Sequence, residues 1–390
     1  MKNAVYLDNA ATTPVRPDVL DAMMPYLTDE AFGNPSSAHR FGQRAQAGID
    51  RAKRQIADAL HAEPGQVIFT SGGTEADNLA VIGAALAAQS RLSPMRVAVG
   101  AAEHKAVIAA AKTVEKMGGE AFFLPVDARC QVDIAAVDEA LARGLAVLSA
   151  MWVNNEVGII QDVRSLAQRC QEAGVSFHTD AVQAVGKVPC RFDDFPCTLL
   201  AISGHKIGAP KGVGALIVRD RHAVEAIIHG GGQQFGIRPG TENVSGIVGL
   251  GRAVELAVGE LDKTASKLGA LRDEFERRLL EAIPNATVIG ADANRAPHVS
   301  AVAVPGIDSQ AFLMHCDLAG VACSAGSACN TGLPEPSHVL TAMGLPREIA
   351  LSMVRFSFSK QNTPEDVDRV MEILPDIVKK VRSLSEALAR

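Results

Sequence analysis

The sequence predicts an α/β protein with a mainly parallel central sheet flanked by helices, followed by a smaller α+β unit. Short apolar runs alternate with helical stretches from residue 67 to about residue 218, a pattern typical of right-handed crossovers in a parallel sheet. After Gly240 this alternation gives way to two long helical stretches. The length of 390 residues is sufficient for more than one domain.

The elements of the first part follow from periodicity and from the loop-forming residues between them. Strands are predicted at 5–7, 67–70, 96–100, 121–124, 146–151, 176–178, 199–202 and 213–218. Helices are predicted at 17–27, 38–60, from the turn at 71–78 to about 88, 105–117, 134–142 and 163–173. Ser36 or Ser37 is the expected N-cap of the second of these helices.

The second part has longer helices and fewer strands. Helices are predicted at 244–260, 265–283, 309–318 and 364–387, and strands at 287–289, 299–304 and 354–359. We therefore expect a large domain at 15–260. A small domain would comprise 261–390 together with 1–14, which would pack back onto it.

Composition excludes several functional classes. The net charge is −6 and basic residues form no long cluster, which argues against nucleic acid as a partner. No apolar run reaches the length of a membrane span, and the first residues lack a targeting pattern. Seven cysteines without a Cys-x-x-Cys pair indicate free thiols in a reducing compartment. A cytoplasmic location is the resulting prediction.

A lysine stands in the loop that follows a buried strand. Apolar runs at 198–202 and 213–218 flank a loop that contains Ser203, Gly204, His205 and Lys206. A lysine whose charge is disfavoured by its surroundings loses its proton readily and can attack a carbonyl carbon to form a Schiff base. From this stretch alone, an ordinary loop lysine is an equally good interpretation.

A glycine-rich turn, Ser71-Gly-Gly-Thr-Glu75, lies between a predicted strand and a predicted helix. Glycines let the backbone approach an anion, and the first helical amides together with the Thr74 hydroxyl can bind a phosphate. The turn matches neither a nucleoside triphosphate loop nor a dinucleotide-binding turn. A capped helix start explains the pattern alone more simply, whereas the functional interpretation is a single phosphate on a small cofactor.

Polar residues follow three further predicted strands. Asp180 ends Phe177-His-Thr-Asp180, Glu103-His-Lys105 follows the strand at 96–100, and Asn154-Asn-Glu156 follows the strand at 146–151. The carboxyl ends of parallel strands meet at one edge of the sheet, where open α/β sheets bind ligands. A carboxylate there can pair with a protonated ring nitrogen, although an N-cap role for Asp180 is equally compatible with the pattern.

Together these motifs resemble those of the cysteine desulfurases of the NifS/IscS type, which belong to the class-V aminotransferase-like pyridoxal-phosphate (PLP) enzymes of fold type I. The resemblance runs from residue 5 to about residue 360, with the motifs in the family's order and spacing. It implies a seven-stranded sheet in the large domain. The matching segments are Leu7-Asp-Asn-Ala-Ala-Thr-Thr13, Gly33-Asn-Pro-Ser36, Thr70-Ser-Gly-Gly-Thr-Glu75, Glu103-His-Lys-Ala106, Asn154-Asn-Glu-Val-Gly158, His205-Lys206, Arg238-Pro-Gly-Thr-Glu-Asn243 and Gly326-Ser-Ala-Cys329.

The resemblance implies PLP as the cofactor and assigns residues to it. Lys206 would form the Schiff base, and Asp180 would pair with the ring nitrogen and keep the ring an electron sink. His104 would stack on the ring and assist proton transfer, and Gln183 would hydrogen-bond the ring hydroxyl. The phosphate would be held by Gly73, Thr74, Ser203, Gly204, His205 and, from the neighbouring subunit of a homodimer, Thr241.

The resemblance also implies the reaction, in which L-cysteine becomes L-alanine and its sulfur passes to Cys329 as a persulfide. Asn34, Asn155 and Arg355 would hold the substrate carboxylate, for which a guanidinium fork is well suited. Cys329 lies in a segment rich in Gly, Ser and Ala, about 321–334, which we expect to be a mobile loop with an exposed thiol. No intrinsic metal site is expected, although a Cys329 persulfide could be a transient iron–sulfur ligand.

The other cysteines receive lesser roles. Cys323 lies six residues before Cys329 and could exchange with it after oxidation. The remaining five are expected to be core or incidental residues: Cys130, Cys170, Cys190, Cys197 and Cys316.

The long form of the thiol segment resembles that of family members that pass sulfur directly to an iron–sulfur scaffold protein of the NifU/IscU type. The chain ends soon after Leu384, without the longer tail that housekeeping members use to dock their scaffold. This favours a role in nitrogenase maturation. A selenocysteine lyase, which needs no loop thiol, and another class-V aminotransferase are the alternatives.

Two other enzyme classes are disfavoured. His229-Gly-Gly-Gly232 imitates a lipase oxyanion motif, but the chain lacks a Gly-x-Ser-x-Gly nucleophile elbow. Cys316, Cys323, Cys329 and His338 have spacings that fit no common zinc site.

Overall fold

The computed structural model describes residues 4–326 and 335–388, without the side chains of residues 386–388. The strands are β1 (Val5–Tyr6), β2 (Val67–Thr70), β3 (Arg96–Gly100), β4 (Glu120–Leu124), β5 (Val147–Ser149), β6 (Ser176–Asp180), β7 (Leu199–Ser203), β8 (Gly214–Val218), β9 (Thr287–Val288), β10 (Val299–Ala303), β11 (Val321–Ala322), β12 (Ser324–Ala325) and β13 (Met353–Ser357). The α-helices are α1 (Pro17–Met23), α2 (Arg40–Leu60), α3 (Gly73–Ser90), α4 (Lys105–Lys116), α5 (Ile134–Ala142), α6 (Val163–Glu172), α7 (Val244–Gly259), α8 (Leu261–Ala282), α9 (Ser309–Leu318), α10 (His338–Ala342), α11 (Arg347–Leu351) and α12 (Pro364–Leu388).

Seven strands form the large sheet, in the order β2-β8-β7-β6-β5-β3-β4. The pairs from β7 to β4 are parallel, and β8 is antiparallel to both of its neighbours. The α/β fold with a mainly parallel sheet is therefore confirmed. The carboxyl ends of β2, β3, β5, β6 and β7 lie at the same edge, so the polar residues after these strands converge there.

The strands are apolar because helices cover both faces of this sheet. In β7, Leu199 and Ala201 pack against α3 and α4, whereas Leu200 and Ile202 pack against α2 and α7. All four side chains are fully buried. Helices thus cover both faces of the sheet, and the edge formed by the carboxyl ends of its parallel strands is the part that a ligand can reach.

A second sheet, in the order β12-β13-β10-β9, is antiparallel throughout. Beside it, β1 pairs in parallel with β11, and Asp8 forms a bridge with Ser357 at the end of β13. The N-terminal segment therefore lies against the C-terminal elements before it continues to the large sheet. The division into domains near residue 260 stays a prediction.

Several sequence-based details were wrong. Helix α2 begins at Arg40 and is capped by His39, whose ring nitrogen accepts the Gly42 N–H, rather than by Ser36 or Ser37. The expected loop at 321–334 begins with β11 and β12, because β11 pairs with β1 and β12 pairs with β13 at the edge of the second sheet. The short helices α10 and α11 were not predicted. Across residues 4–326 and 335–388, no helix combines the length and apolar character needed to cross a bilayer.

Candidate active site

A pocket of about 460 Å³ opens at the carboxyl edge of the large sheet, a size suited to a small ligand. Loops after β2, β3, β5, β6 and β7 form its walls. Its lining includes nine of the predicted site residues: Gly73, Thr74, His104, Asn155, Asp180, Gln183, Ser203, His205 and Lys206.

The first turn of α3 forms one wall of the pocket. Gly73 packs so closely that a Cβ there would lie 2.9 Å from Val182 Cγ2, so the backbone is the surface that faces the pocket. Glu75 accepts the Ser71 N–H at 2.8 Å and pairs with Arg238 at 2.7 Å, which holds the turn in place. The first amides of the helix have no intrahelical acceptors and are available to an anion.

Lys206 is half-buried, and its Nζ donates to the carbonyl oxygens of Ala10 and Ala11, each at 2.7 Å. Burial, followed by the charge of Arg355, lowers the pKa of Lys206 to about 8, and the Asp180 carboxylate opposes both. A neutral amine is therefore readily available near neutral pH, as nucleophilic attack requires.

Asp180 is buried at the end of β6, and its Oδ1 accepts the Val182 N–H at 2.8 Å. Burial raises the pKa of Asp180, and the neighbouring His104 opposes the rise. Gln183 donates to Ala10 O at 2.9 Å and contacts His298 Nε2 at 3.1 Å. A buried carboxylate is costly unless it is paired, so a carboxylate in this position would be stabilised by a cationic group of a ligand in the pocket.

His104 caps α4, with its Nδ1 accepting the Ala106 N–H at 3.2 Å. A proton on the neutral ring therefore resides on Nε2. One nitrogen of His104 and one oxygen each of Asp77 and Asp180 lie within 4.8 Å of one another. The histidine thus combines a structural cap with a place beside the ligand.

The loop after β7 brings further polar groups to the pocket. His205 Nδ1 lies 3.1 Å from Thr12 Oγ1, and burial, followed by the charges of Lys206 and other lysines, lowers the pKa of His205 to about 4. The ring is therefore neutral and acts through hydrogen bonds. Gly204 does not line the pocket, because its N–H donates to Val213 O at 3.0 Å.

Arg355, on β13, lies at the other side of the site. Its Nη1 donates to Asn155 O at 2.8 Å and its Nη2 to Asp8 Oδ1 at 2.9 Å, while Nε is buried without a partner. These contacts engage two of the five guanidinium N–H groups and fix the plane of the fork. The remaining donors can bind a carboxylate.

Four of the predicted residues that the structure describes do not line this pocket: Gly204, Arg355, Asn34 and Thr241. Asn34 is exposed and caps its own turn through the Ser36 N–H, and Thr241 is exposed as well. Cys329 lies outside the described residues. The five cysteines expected in the core are all buried, which is confirmed, and Cys323 is partly buried.

The groups present fit PLP. The α3 amides with Thr74, Ser203 and His205 form a donor set for a phosphate, and Lys206 is an amine of lowered pKa. Asp180 lacks a cation partner that a protonated ring nitrogen would supply. Because Gly73 has no side chain, the backbone of this turn can approach the phosphate; a Cβ there would press against Val182.

Sequence reasoning missed four contributors to the site. Asp8 pairs with Arg355, Glu75 pairs with Arg238, and Asp77 and Lys211 line the pocket. Asp8 and Glu75 lie inside motifs that carried the family resemblance. Asp77 occupies a buried position between Ala76 and Leu79 in α3, and a carboxyl group on an apolar helix face is the signal that could have revealed it.

Comparison with known proteins agrees with this geometry. Residues 5–370 match the family model described as aminotransferase class-V. A cysteine desulfurase of Gluconacetobacter diazotrophicus is 46% identical over 385 residues, which cover 98% of this chain and 95% of the relative. A cysteine desulfurase IscS of Dictyoglomus turgidum is 42% identical over 385 residues, covering 99% and 97%. The solved structure of a NifS-like protein from Rickettsia africae is 30% identical, has a TM-score of 0.85, and is matched over 97% of this chain and 100% of that chain.

Proposed function

The chain belongs to the class-V aminotransferase family and, within it, to the cysteine desulfurases, and from this premise we propose that it converts L-cysteine to L-alanine and passes the sulfur to Cys329. The observation that carries the proposal is the convergence of Lys206, Asp180 and His104 on one pocket beneath the phosphate-binding turn of α3. Members of this family depend on PLP.

We propose that PLP is held between the first turn of α3 and the loop after β7. Thr74, Ser203 and His205, with the Gly73 amide, would bind the phosphate, and Gln183 would bind the ring hydroxyl. Gly204 would contribute by its close packing, since its N–H is already used. When bound, PLP supplies an electron sink for the pair of electrons left at the substrate Cα.

Lys206 and His104 would handle the protons. Lys206, with its lowered pKa, would take the proton from the substrate Cα as a neutral base. His104, with its proton on Nε2, would donate or accept protons at substrate atoms on the side of the ligand opposite Lys206. Asp180 would keep a proton at the ring nitrogen, because an opposite charge stabilises both partners in a buried site.

Arg355 would bind the substrate carboxylate with the N–H groups that Asp8 and Asn155 leave free. Asn155 also lines the pocket, whereas Asn34 would need to approach from its exposed turn or from another subunit. Ser324 is the register partner of Arg355, and Cys329 follows five residues later in the sequence. Five residues extend at most about 17 Å, and we propose that Cys329 reaches the substrate within this length.

The Cys329 thiolate would attack the substrate sulfur, taking it as a persulfide while the Cα–Cβ portion leaves as the precursor of alanine. The persulfide could then pass to an iron–sulfur scaffold protein. A dedicated role in nitrogenase maturation and a cytoplasmic location stay predictions.

We further propose a homodimer in which Thr241 reaches the phosphate of the neighbouring subunit. Thr241 is exposed in the single chain. Phe32 and Phe41 are 62% and 49% exposed with rings 5.5 Å apart, and such an apolar surface is typical of an interface.

The decisive experiment measures alanine and sulfide from L-cysteine with purified PLP-loaded protein. Lys206→Ala should lower turnover by at least about a thousandfold, since it removes both the amine that forms the Schiff base with PLP and the base that takes the Cα proton. Cys329→Ser should abolish protein-bound persulfide while leaving cofactor binding intact. Persulfide formation at the full rate in Cys329→Ser would refute the role of this thiol, and failure of the wild type to bind PLP would refute the whole scheme.

A further inference from the structure

A chain of buried polar groups begins at Asp77, which lines the pocket beside Asp180, and continues into the large sheet. It consists of Asp77 on α3, His178 on β6, Ser149 on β5 and Glu103 after β3. Their exposed fractions do not exceed 2%. His178 Nε2 lies 3.6 Å from Asp77 Oδ1, His178 Nδ1 lies 2.8 Å from Ser149 Oγ, and Ser149 Oγ donates to Glu103 Oε2 at 3.4 Å.

The two carboxyl groups at the ends of this chain have different surroundings. Glu103 Oε1 accepts the Met151 N–H at 2.6 Å and its Oε2 accepts from Ser149. Asp77 Oδ1 and His178 Nε2 face each other, and both are buried without a hydrogen-bond partner. Hydrogen bonds to an anion stabilise it, so a negative charge on this chain is favoured at Glu103 and disfavoured at Asp77.

We propose that Asp77 is a positioning residue that stays protonated, and that its chain through His178 and Ser149 keeps a single negative charge at Glu103, away from Asp180. The proposal rests on the proposed function only in that PLP is the ligand of this pocket. Asp180 is then the one anion of this group that faces the ring nitrogen.

The hydrogen-bond directions are consistent with one proton and one charge. Asp77 would donate its O–H to His178 Nε2, and this hydrogen bond would give a partner to both atoms of the 3.6 Å contact. In this arrangement His178 would carry its proton on Nδ1 and donate across the 2.8 Å contact to Ser149, and the Ser149 hydroxyl would donate to Glu103. A further proton on Glu103 would have no acceptor among the hydrogen bonds of the described residues.

The electrostatic surroundings also distinguish Asp77 from Glu103. Burial, followed by the negative charges of Asp180 and Glu103, raises the pKa of Asp77 well above its ordinary value. Burial and the charge of Asp180 raise the pKa of Glu103 to about 8, against the Met151 N–H and the Ser149 hydroxyl, which lower it; these two hydrogen bonds have no counterpart at Asp77 Oδ1. Burial lowers the pKa of His178 to about 3, so its ring is neutral. An ionised Asp77 would lie within 4.8 Å of the Asp180 carboxyl group, and two like charges in one buried site disfavour each other.

The matched test variants are Asp77→Asn and Glu103→Gln, each of which replaces a carboxyl group by an amide of the same shape. In Asp77→Asn, the amide N–H can donate to His178 and preserve every direction in the chain. In Glu103→Gln, Oε1 remains the acceptor for Met151, so the amide NH₂ faces Ser149 and donates to it. That reverses the chain, makes His178 donate to Asp77, and moves the negative charge next to Asp180.

We therefore expect PLP to bind Glu103→Gln at least about tenfold more weakly than Asp77→Asn, the factor that corresponds to about one unit in the pKa of Asp180. The dissociation constant is read from the visible absorbance of the bound cofactor in the absence of cysteine. Equal affinities, or weaker binding by Asp77→Asn, would overturn the proposal.

A second measurement reports the proton directly and needs only the wild type and Asp77→Asn. The infrared difference spectrum of the two holoenzymes should contain the carbonyl stretch of one protonated carboxyl group, present in the wild type and absent from the variant. A difference spectrum that shows only a lost carboxylate would overturn the proposal. Protein that binds PLP but forms no alanine from cysteine would refute the proposed function and leave both results interpretable.

Discussion

Arg355 shows how a single side chain is prepared for a substrate by its partners. Asp8 and the Asn155 carbonyl hold two of its N–H groups from sequence positions 347 and 200 residues away. Because these contacts fix the guanidinium plane, little rotational freedom remains to be lost when a carboxylate binds. Lysine offers a point charge without this planar arrangement.

We expect Arg355→Lys to raise KM for cysteine by about tenfold to a hundredfold, because one or more charged hydrogen bonds worth ~1.5–3 kcal/mol are lost. Steady-state kinetics give KM, and the PLP dissociation constant of the same variant serves as the control. A KM equal to that of the wild type would contradict the assignment of Arg355 to the carboxylate.

Lys187 is a second lysine whose charge is disfavoured. It is buried, its Nζ donates to Lys206 O at 3.2 Å, and burial, followed by the charge of Lys206, lowers its pKa from 10.5 to about 7. The unfolded chain therefore binds a proton between about pH 7 and 10.5 that the folded chain does not. Stability from this group is present above pH 10.5 and is lost as the pH falls through 7.

We predict that Lys187→Met flattens the rise of unfolding free energy with pH across that window. The wild type should gain up to about 1.4 kcal/mol per pH unit from this residue, and the variant should not. Urea unfolding of the cofactor-free protein at several pH values between 7 and 10 measures the slopes, and the exposed Lys116→Met is the control. Parallel curves for the wild type and Lys187→Met would refute the prediction.

The first turn of α3 shows how an element can be shaped for a ligand while leaving no space for a side chain at one of its positions. The turn carries two consecutive glycines, and at Gly73 a Cβ would meet both Val182 and Ser203. Its position is held from outside by the Glu75–Arg238 pair. The backbone amides can thereby approach an anion that side chains would keep away.

Gly73→Ala should destabilise the fold by ~1–3 kcal/mol through overpacking and should weaken PLP binding further by shifting the turn. Gly65→Ala is the matched control, since a Cβ there would have no neighbour within 4 Å. Denaturant unfolding and PLP titration measure the two effects. Equal behaviour of the two variants would show that close packing at Gly73 is unimportant.

In the whole molecule, the N-terminal segment joins the two sheets at the site. It pairs with β11 through β1, bridges to Ser357 through Asp8, and then offers the Ala10 and Ala11 carbonyls to Lys206. Arg355, from the second sheet, reaches the same region. The proposed dimer would add Thr241 from another chain, so that each site would draw on several distant parts of two molecules.

Mixing two defective proteins tests this sharing. Lys206→Ala and Thr241→Ala subunits are each expected to form impaired homodimers, whereas their heterodimer contains one site with both residues intact. Co-refolded mixtures should therefore recover activity, to about one working site per heterodimer. If Thr241 acted within its own chain, no mixture would exceed the sum of its parts.

Local patterns were sufficient for the order of strands and helices and for the motifs at the strand ends, because periodicity and turn chemistry depend on neighbouring residues. The strands β11 and β12 were mispredicted, since each pairs with a strand from a remote part of the chain. The capping of α2 by His39 was mispredicted although it is a local contact with the Gly42 N–H. The cofactor class was also recognised before the fold, because Ser71–Glu75, Asp180 and Lys206 retain the family's spacing, and the reaction was inferred from the segment that contains Cys329.

The pairing of Asp8 with Arg355, the buried chain from Asp77 to Glu103 and the amine environment of Lys187 were visible only in the folded molecule. In each case the interacting residues are far apart in sequence, or a polar residue lies on a helix face that otherwise consists of apolar residues. Burial and the distance to a partner determine how such groups ionise, and neither quantity exists until the sheets and helices have packed.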